Sequence, residues 1–160
     1  MSKRDLLGLL GFIVLCFAAA GLGGYWTAPS VSPGGWYGQI AKPSWTPPSW
    51  LFGPVWTALY LAMAVAGWLV WRRGGWAAHR GALVLFLVQL TLNAIWSGLF
   101  FGLHSPGLAM IEILLLWTAI LLTALAFFRV SRLAGWLLVP YLLWVSFASV
   151  LNFAVWRLNS

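Results

Sequence analysis

The sequence predicts an all-α membrane protein, a five-transmembrane-helix bundle with a long structured first loop. Three observations predict this fold: 62% of the 160 residues are hydrophobic, only 7% are charged, and apolar runs of spanning length occur five times. A soluble domain normally carries about a quarter charged residues, and a spanning helix needs roughly 20 mostly apolar ones. The runs do not alternate as barrel strands do, so helices are favoured over a membrane barrel.

The five runs belong to a single transmembrane domain that covers residues 1–160. The predicted helices lie at about 6–27, 50–71, 81–102, 106–128 and 134–156. The first run also resembles a cleavable signal peptide, because Lys3 and Arg4 precede it and small residues occur at 18–21. It continues, however, to the interfacial aromatic residues Tyr25 and Trp26, which favours a retained helix.

The positive charges indicate an orientation in the membrane. Of the nine Lys and Arg residues, seven fall on the predicted side of the amino terminus, and Lys42 and Arg157 fall on the other. Since Lys and Arg are retained in the cytoplasm, we expect a bacterial cell membrane with the amino terminus inside, although an outer membrane would void this argument. The net charge of +7 reflects scarce acids rather than a basic face, so nucleic acid is not an expected partner.

The sequence lacks the residues of several classes of catalytic and metal site. Asp5 is terminal, and His79 and His104 fall on opposite predicted sides, so neither a Ser-His-Asp set nor a His pair for a metal or haem forms. Cys16 is the single cysteine, which excludes an intrachain disulfide and a thiolate cluster. A Gly-rich phosphate loop is also missing. We therefore expect no metal and no required cofactor.

The first loop, predicted at residues 28–49, is the only long connection and is rich in proline and tryptophan. Its five prolines restrict the backbone, and Trp36, Tyr37 and Trp45 offer large rigid surfaces. We expect it to fold as a lid over a mouth between helix ends, because loops on a rigid scaffold often carry function. The alternative is that it lies flat among the lipid headgroups.

Polar and aromatic side chains form stripes on three of the predicted helices. On the third helix Gln89, Asn93 and Trp96 share one face, since they are four and three residues apart. The other stripes are Tyr141, Trp144, Ala148 and Asn152 on the fifth helix and Trp56, Tyr60 and Met63 on the second. If the stripes converge under the first loop, they form an apolar pocket with few hydrogen-bonding groups, as small-molecule sites usually are. Alternatively, the amides join neighbouring helices.

Glu112 is the only acidic residue inside the predicted spans. An ionisable group within a membrane indicates function by default, and a proton-coupled small-molecule carrier would use such a carboxylate. Because Glu112 lies near a helix end, however, it can also extend to the lipid headgroups, and the sequence offers no partner for ion coupling. We favour the headgroup position.

Several motifs resemble those of the TspO/MBR family, the tryptophan-rich sensory protein, translocator protein or peripheral-type benzodiazepine receptor family. They are Trp36-Tyr37, Lys42-Pro43-Ser44-Trp45-Thr46-Pro47-Pro48, Gly53-Pro54-Val55-Trp56 with Tyr60, then Gln89, Asn93 and Trp96, and Pro140-Tyr141-Leu142-Leu143-Trp144 with Ala148 and Asn152. The resemblance implies a five-helix bundle, commonly a homodimer, with a pocket under the first loop. In the family this pocket binds porphyrins such as protoporphyrin IX and, in animal members, cholesterol and benzodiazepine-type drugs.

The resemblance also implies a function and a set of site residues. It implies a receptor or translocator for tetrapyrroles with a sensory, regulatory or transport role. The alternative is a light-dependent porphyrin-degrading enzyme in which Trp56 and Trp144 are the catalytic residues. The ligand-binding set predicted from the stripes and the resemblance together is Tyr37, Pro47, Trp56, Tyr60, Gln89, Asn93, Trp96, Tyr141, Trp144, Ala148 and Asn152. Cholesterol binding is not expected, because Phe153 replaces the Tyr of the animal cholesterol pattern.

Overall fold

The structure is a computed structural model that describes residues 2–160, and within them the chain is helical without a strand. The helices are α1 (Lys3–Val31), α2 (Trp36–Gln39), α3 (Phe52–Trp71), α4 (Gly75–Ala78), α5 (Arg80–Ser97), α6 (Pro106–Val130) and α7 (Arg132–Leu158). A 3-10 turn at Ser49–Leu51 precedes α3, and a π-helical turn at Gly98–Gly102 extends α5. Among residues 2–160, five helical segments are long and apolar enough to cross a membrane, which confirms the predicted fold class.

Helices α1, α6 and α7 extend beyond the limits that hydropathy predicts, and α1 shows why. The Ser2 hydroxyl accepts a hydrogen bond from the Asp5 amide at 3.1 Å, and the Asp5 carboxylate accepts one from the Ser2 amide at 3.3 Å. This capping box satisfies the first amides of the helix with polar groups that hydropathy does not count. At its other end α1 runs through Pro29 to Val31, so the first loop starts four residues later than predicted.

The five long helices form a ring. Around it, α1 packs on α3 and α5, α3 packs on α7, and α6 packs between α5 and α7. The half of the ring far from the first loop is filled by large side chains, among them Phe86 and Phe127, whose rings stack with centroids 5.8 Å apart. The half next to the first loop is hollow, and this hollow half holds the candidate site.

The first loop folds onto the end of the ring. Tyr37, on the short helix α2, is only 3% exposed. The Ala41 amide donates to the Asn159 side-chain oxygen at 3.0 Å, and the Asn159 amide donates back to the Ala41 carbonyl at 2.9 Å. The Trp45 ring packs edge-on against Phe147 of α7, with centroids 5.9 Å apart. The loop thus covers the hollow half of the bundle and is attached to α7.

Gly35 lies where the first loop meets the end of α1, and it yields a prediction about stability. A Cβ at this position would overlap the carbonyl oxygens of Pro29 and Ser30. Because backbone atoms cannot rotate aside, we expect Gly35→Ala to lower the free energy of unfolding by about 1–3 kcal/mol, the usual cost of overpacking. Thermal unfolding of the detergent-solubilised protein measures this. Gly38→Ala is the control, since its Cβ would meet nothing within 4 Å, and equal Tm values for the two variants would contradict the prediction.

Candidate ligand-binding cavity

A cavity of about 650 Å³ lies inside the hollow half of the ring, beneath the first loop. Its lining comes from α1, α3, α5 and α7, from the π-helical turn and from the first loop with the 3-10 turn that ends it. Known small-molecule pockets measure roughly 300–1,000 Å³ and are mostly apolar. The cavity therefore has the size and the position that a small-molecule site requires.

The structure brings most of the predicted site residues together around this cavity. Eight of the eleven line it: Tyr37, Trp56, Tyr60, Asn93, Trp96, Trp144, Ala148 and Asn152. The other three, Pro47, Gln89 and Tyr141, lie outside the lining. The stripes on α3, α5 and α7 therefore converge as expected, while contact between these residues and a ligand stays a prediction.

Aromatic rings form the cavity walls on α3 and α7. The Trp56 ring lies 5.7 Å from the Tyr60 ring on α3, and the Trp144 ring lies 5.6 Å from the Phe147 ring on α7, measured between centroids. Phe52 packs edge-on against Trp144 at 6.3 Å and joins the two walls. Each ring packs against another ring in a tilted or edge-on arrangement, the geometry that aromatic pairs prefer.

The Asn93 carboxamide joins three helices at one end of the cavity. Its oxygen accepts a hydrogen bond from the Tyr60 hydroxyl of α3, and its nitrogen donates to the Tyr141 hydroxyl of α7 at 2.8 Å. Asn93 is only 1% exposed. The Asn93 amide thus joins neighbouring helices, as the alternative interpretation expected, although Asn93 also lies at the cavity surface. Tyr141 acts on the cavity indirectly, by holding Asn93.

Asn152 has a similar position nearer the first loop. Its oxygen accepts a hydrogen bond from the Trp96 indole at 3.0 Å, and its nitrogen donates to the Pro106 carbonyl at 2.7 Å. The side chain therefore links α7 to α5 and to the first residue of α6. It also fixes the orientation of the Trp96 ring, which lines the cavity.

Tyr37 contributes to the cavity from the first loop. Tyr37 lines the cavity, and burial raises the pKa of its phenol to about 12. Like an ordinary tyrosine, it is protonated at neutral pH and can donate a hydrogen bond. The Lys42 ammonium donates to the carbonyl oxygens of Tyr37 and Ile40, and it lies 4.9 Å from the centroid of the Tyr37 ring. Lys42 therefore stiffens the loop and does not act as a charge inside the cavity.

Gln89 is buried away from the cavity. Its side chain is 1% exposed and its nitrogen donates a long contact of 3.9 Å to the Met63 sulfur. Within residues 2–160 its side-chain oxygen has no hydrogen-bond partner. Gln89 therefore lies on the predicted face of α5, but too far along the helix to line the cavity beside Asn93.

The expectation that Glu112 extends to the headgroups is wrong. The side chain is 6% exposed, and neither carboxylate oxygen has a hydrogen-bond partner in the described part of the chain. Ala109, Ile113 and Leu116 are buried on the same face of α6, so the helical phase turns Glu112 into the ring. Glu112 does not line the cavity.

Sequence reasoning missed the wall that α1 supplies. Its lining residues are Phe17, Ala20, Gly21, Gly23, Gly24, Thr27, Ala28 and Val31. A search for polar and aromatic stripes passes over small residues, because they offer little surface of their own. The available signal was the cluster of three glycines within an apolar span, where small residues allow a close approach of backbones or leave room for a ligand.

These features define an integral multi-pass membrane protein with an aromatic-walled cavity under a structured loop. A family profile described as the TspO/MBR family matches residues 12–157. The chain is 47% identical over 160 residues to the tryptophan-rich protein TspO of Chlorobaculum tepidum, which covers 98% of this chain and 99% of the relative. The chain therefore belongs to the TspO/MBR family, as the motifs indicated.

Two further relatives show the breadth of the similarity. The translocator protein of Homo sapiens is 44% identical over 126 residues, which are 78% of this chain and 75% of the human protein. The tryptophan-rich sensory protein of Cereibacter sphaeroides is 36% identical over 157 residues, which are 98% of this chain and 94% of the relative.

The hydrogen bond between Asn93 and Tyr141 leads to a second prediction. Tyr141→Phe keeps the ring but removes the acceptor, which leaves a buried amide N–H unpaired. We expect a loss of about 1–3 kcal/mol in the free energy of unfolding, the usual cost of such a group. Tyr25→Phe is the control because Tyr25 is 75% exposed. Thermal unfolding in detergent compares them, and a Tm for Tyr141→Phe as high as that of the control would contradict the role of Asn93.

Proposed function

We propose that this protein binds porphyrins, that is, tetrapyrroles such as protoporphyrin IX, in the cavity under the first loop. The observation that carries the proposal is the cavity itself, which combines a volume of about 650 Å³ with walls of indole and phenyl rings. A flat apolar macrocycle gains most from such rigid aromatic surfaces. The porphyrin is a ligand here and no cofactor is required.

Different parts of the cavity would stack on the porphyrin and hydrogen-bond to it. Trp56 of α3 and Trp144 of α7 offer indole faces from two neighbouring helices. Because Tyr60 and Tyr141 already bond to Asn93, we assign the main polar contact to the Tyr37 phenol, which remains a donor at neutral pH. Affinity then comes chiefly from buried aromatic surface and orientation from the first loop.

The biological role that we propose is that of a receptor or translocator. Relatives bear the names translocator protein and tryptophan-rich sensory protein, which attribute transport to one and sensing to the other. We further propose a bacterial cell membrane with the amino terminus inside, supported by the seven-to-two distribution of Lys and Arg. The homodimer implied by the family resemblance is part of the same proposal.

Titration with protoporphyrin IX tests the proposal. Added to the purified protein in detergent, it should quench tryptophan fluorescence saturably. We expect Trp56→Ala/Trp144→Ala to weaken binding by roughly tenfold or more, because truncating a buried aromatic contact commonly costs over 1 kcal/mol. The matched control is Trp76→Ala/Trp136→Ala, since these two rings lie outside the cavity lining and are 46% and 63% exposed. The same dissociation constant in both double variants would refute the placement of the ligand.

A second candidate function is light-dependent degradation of the bound porphyrin. The observation that favours it is that Trp56 and Trp144 both line the cavity, so a bound macrocycle would contact oxidisable indoles. We expect absorbance of the porphyrin to fall only with light and oxygen, with a new product, and Trp56→Phe or Trp144→Phe to abolish this reaction. Absorbance spectra recorded during illumination provide the measurement. If the absorbance of the bound porphyrin fell at the same rate as that of free porphyrin, the enzymatic function would be rejected.

A further inference from the structure

We propose that the ligand reaches the cavity sideways from the bilayer, through a gap between α1 and α3. We call this opening the lateral gap and define it by Phe17, Gly21 and Gly24 of α1 and by Gly53 and Thr57 of α3. All five line the cavity, and all except the half-buried Gly24 are exposed. The inference rests on the proposed function, because it concerns the route by which the same site is filled.

The seam between α1 and α3 is closed in the half that lies far from the first loop. There, a Cβ at Gly8 would overlap the Trp71 ring, and a Cβ at Gly67 would lie 2.7 Å from the Phe12 ring. Each aromatic ring thus occupies the space that the opposite glycine leaves free. In this half the two helices leave no room for a passage.

The same seam opens toward the first loop. Phe17 and Tyr60 form the next contact, with ring centroids 6.4 Å apart. Because the helices are antiparallel, the following turns of α1, at Gly21 and Gly24, come level with the first turns of α3, where Gly53 lies. A Cβ at any of these three glycines would meet nothing within 4 Å. In the closed half of the seam, aromatic rings occupy the space next to the glycines. In the half near the first loop, the space next to the glycines is empty.

The neighbouring seam between α1 and α5 is closed at this same level. The Trp26 ring lies 2.8 Å from where a Cβ of Gly102 would be, and a Cβ at Gly23 would lie 3.1 Å from the Ser97 hydroxyl. The Ser30 hydroxyl also donates to a carbonyl of the π-helical turn at 2.8 Å. α1 is therefore attached along its α5 side, and only its α3 side leaves the cavity accessible.

A route over the top would require the first loop to detach. That loop is held by the two hydrogen bonds between Ala41 and Asn159 and by the packing of Trp45 on Phe147. Within residues 2–160 no hydrogen bond crosses the lateral gap: the Thr57 hydroxyl bonds within α3, and the bond from the Trp68 indole to the Asp5 carbonyl lies in the closed half of the seam. Trp50 of the 3-10 turn, three residues before Gly53, lines the cavity and is 72% exposed.

The depth of the lateral gap determines what it faces. Gly21 precedes the last residue of α1, Val31, by ten residues, which at about 1.5 Å per residue places it roughly 15 Å below the loop end. The hydrocarbon core is about 30 Å thick, so the gap faces lipid tails. The apolar macrocycle of a tetrapyrrole dissolved in the bilayer has access to this depth, whereas the first loop faces headgroups and water.

Rate measurements with liposome-reconstituted protein test the route. Gly21→Leu and Gly53→Leu fill the lateral gap from opposite sides. After mixing with protoporphyrin-loaded vesicles, we expect the association and dissociation rate constants, followed by tryptophan quenching, both to fall by about tenfold in each variant, within the range that single-site changes produce. The control is Gly11→Leu, on the same helix and also with nothing within 4 Å, but outside the cavity. It should bind at the wild-type rate.

Two comparisons separate the possible failures. Asn159→Ala loosens the first loop, and its association rate should equal that of the wild type; a faster rate would show that the ligand passes under the loop and would overturn the lateral route. Saturable quenching with unchanged association rates in both leucine variants would overturn the route alone. Absence of saturable quenching in the wild type would overturn the proposed function together with the route.

Discussion

The buried carboxamide of Asn93 is the interaction on which the rest of the structure depends. By accepting from Tyr60 and donating to Tyr141 it joins α3, α5 and α7. Apolar surface does not drive helices together in a bilayer, so packing and interhelical hydrogen bonds must do so. An unpaired amide buried in this environment costs about 1–3 kcal/mol, and the three helices are therefore held at one rotation relative to each other. Trp56 lies one turn from Tyr60 on α3, and Trp144 lies one turn from Tyr141 on α7. That rotation therefore places both indoles in the cavity walls.

The two remaining boundaries of the cavity differ in character. The first loop is stiff, because its prolines restrict the backbone, Lys42 bonds to two of its own carbonyls, and Asn159 attaches it to α7. α1 is a thinner wall of glycine and alanine with an exposed outer face. The first loop is the boundary on the water side, and α1 is the boundary on the lipid side. This difference suits a ligand that partitions into membranes.

The sequence predicted part of the site for a definite reason. Stripes at spacings of three and four residues identify a helix face, and α3, α5 and α7 do turn those faces inward. Distance along the face was not predictable, which is why Gln89 and Tyr141 lie outside the lining although they share a face with Asn93 and Trp144. The prediction for Glu112 was wrong because it used only the position along the helix. Closeness to a helix end suggested that the side chain reaches the lipid headgroups, but Glu112 lies on the buried face of α6 and points inward.

The sequence by itself determined the number of spans, the helical class and the presence of a rigid first loop. These properties are local, because each span must satisfy its own backbone hydrogen bonds in the bilayer and its apolar length can be read along the chain. Only the tertiary structure decided which polar side chains bond to each other, that α1 forms a wall, and that the seam between α1 and α3 is closed in one half and unfilled near the first loop. Those outcomes depend on the rotation and register of one helix against another, which follow from side chains meeting across the bundle.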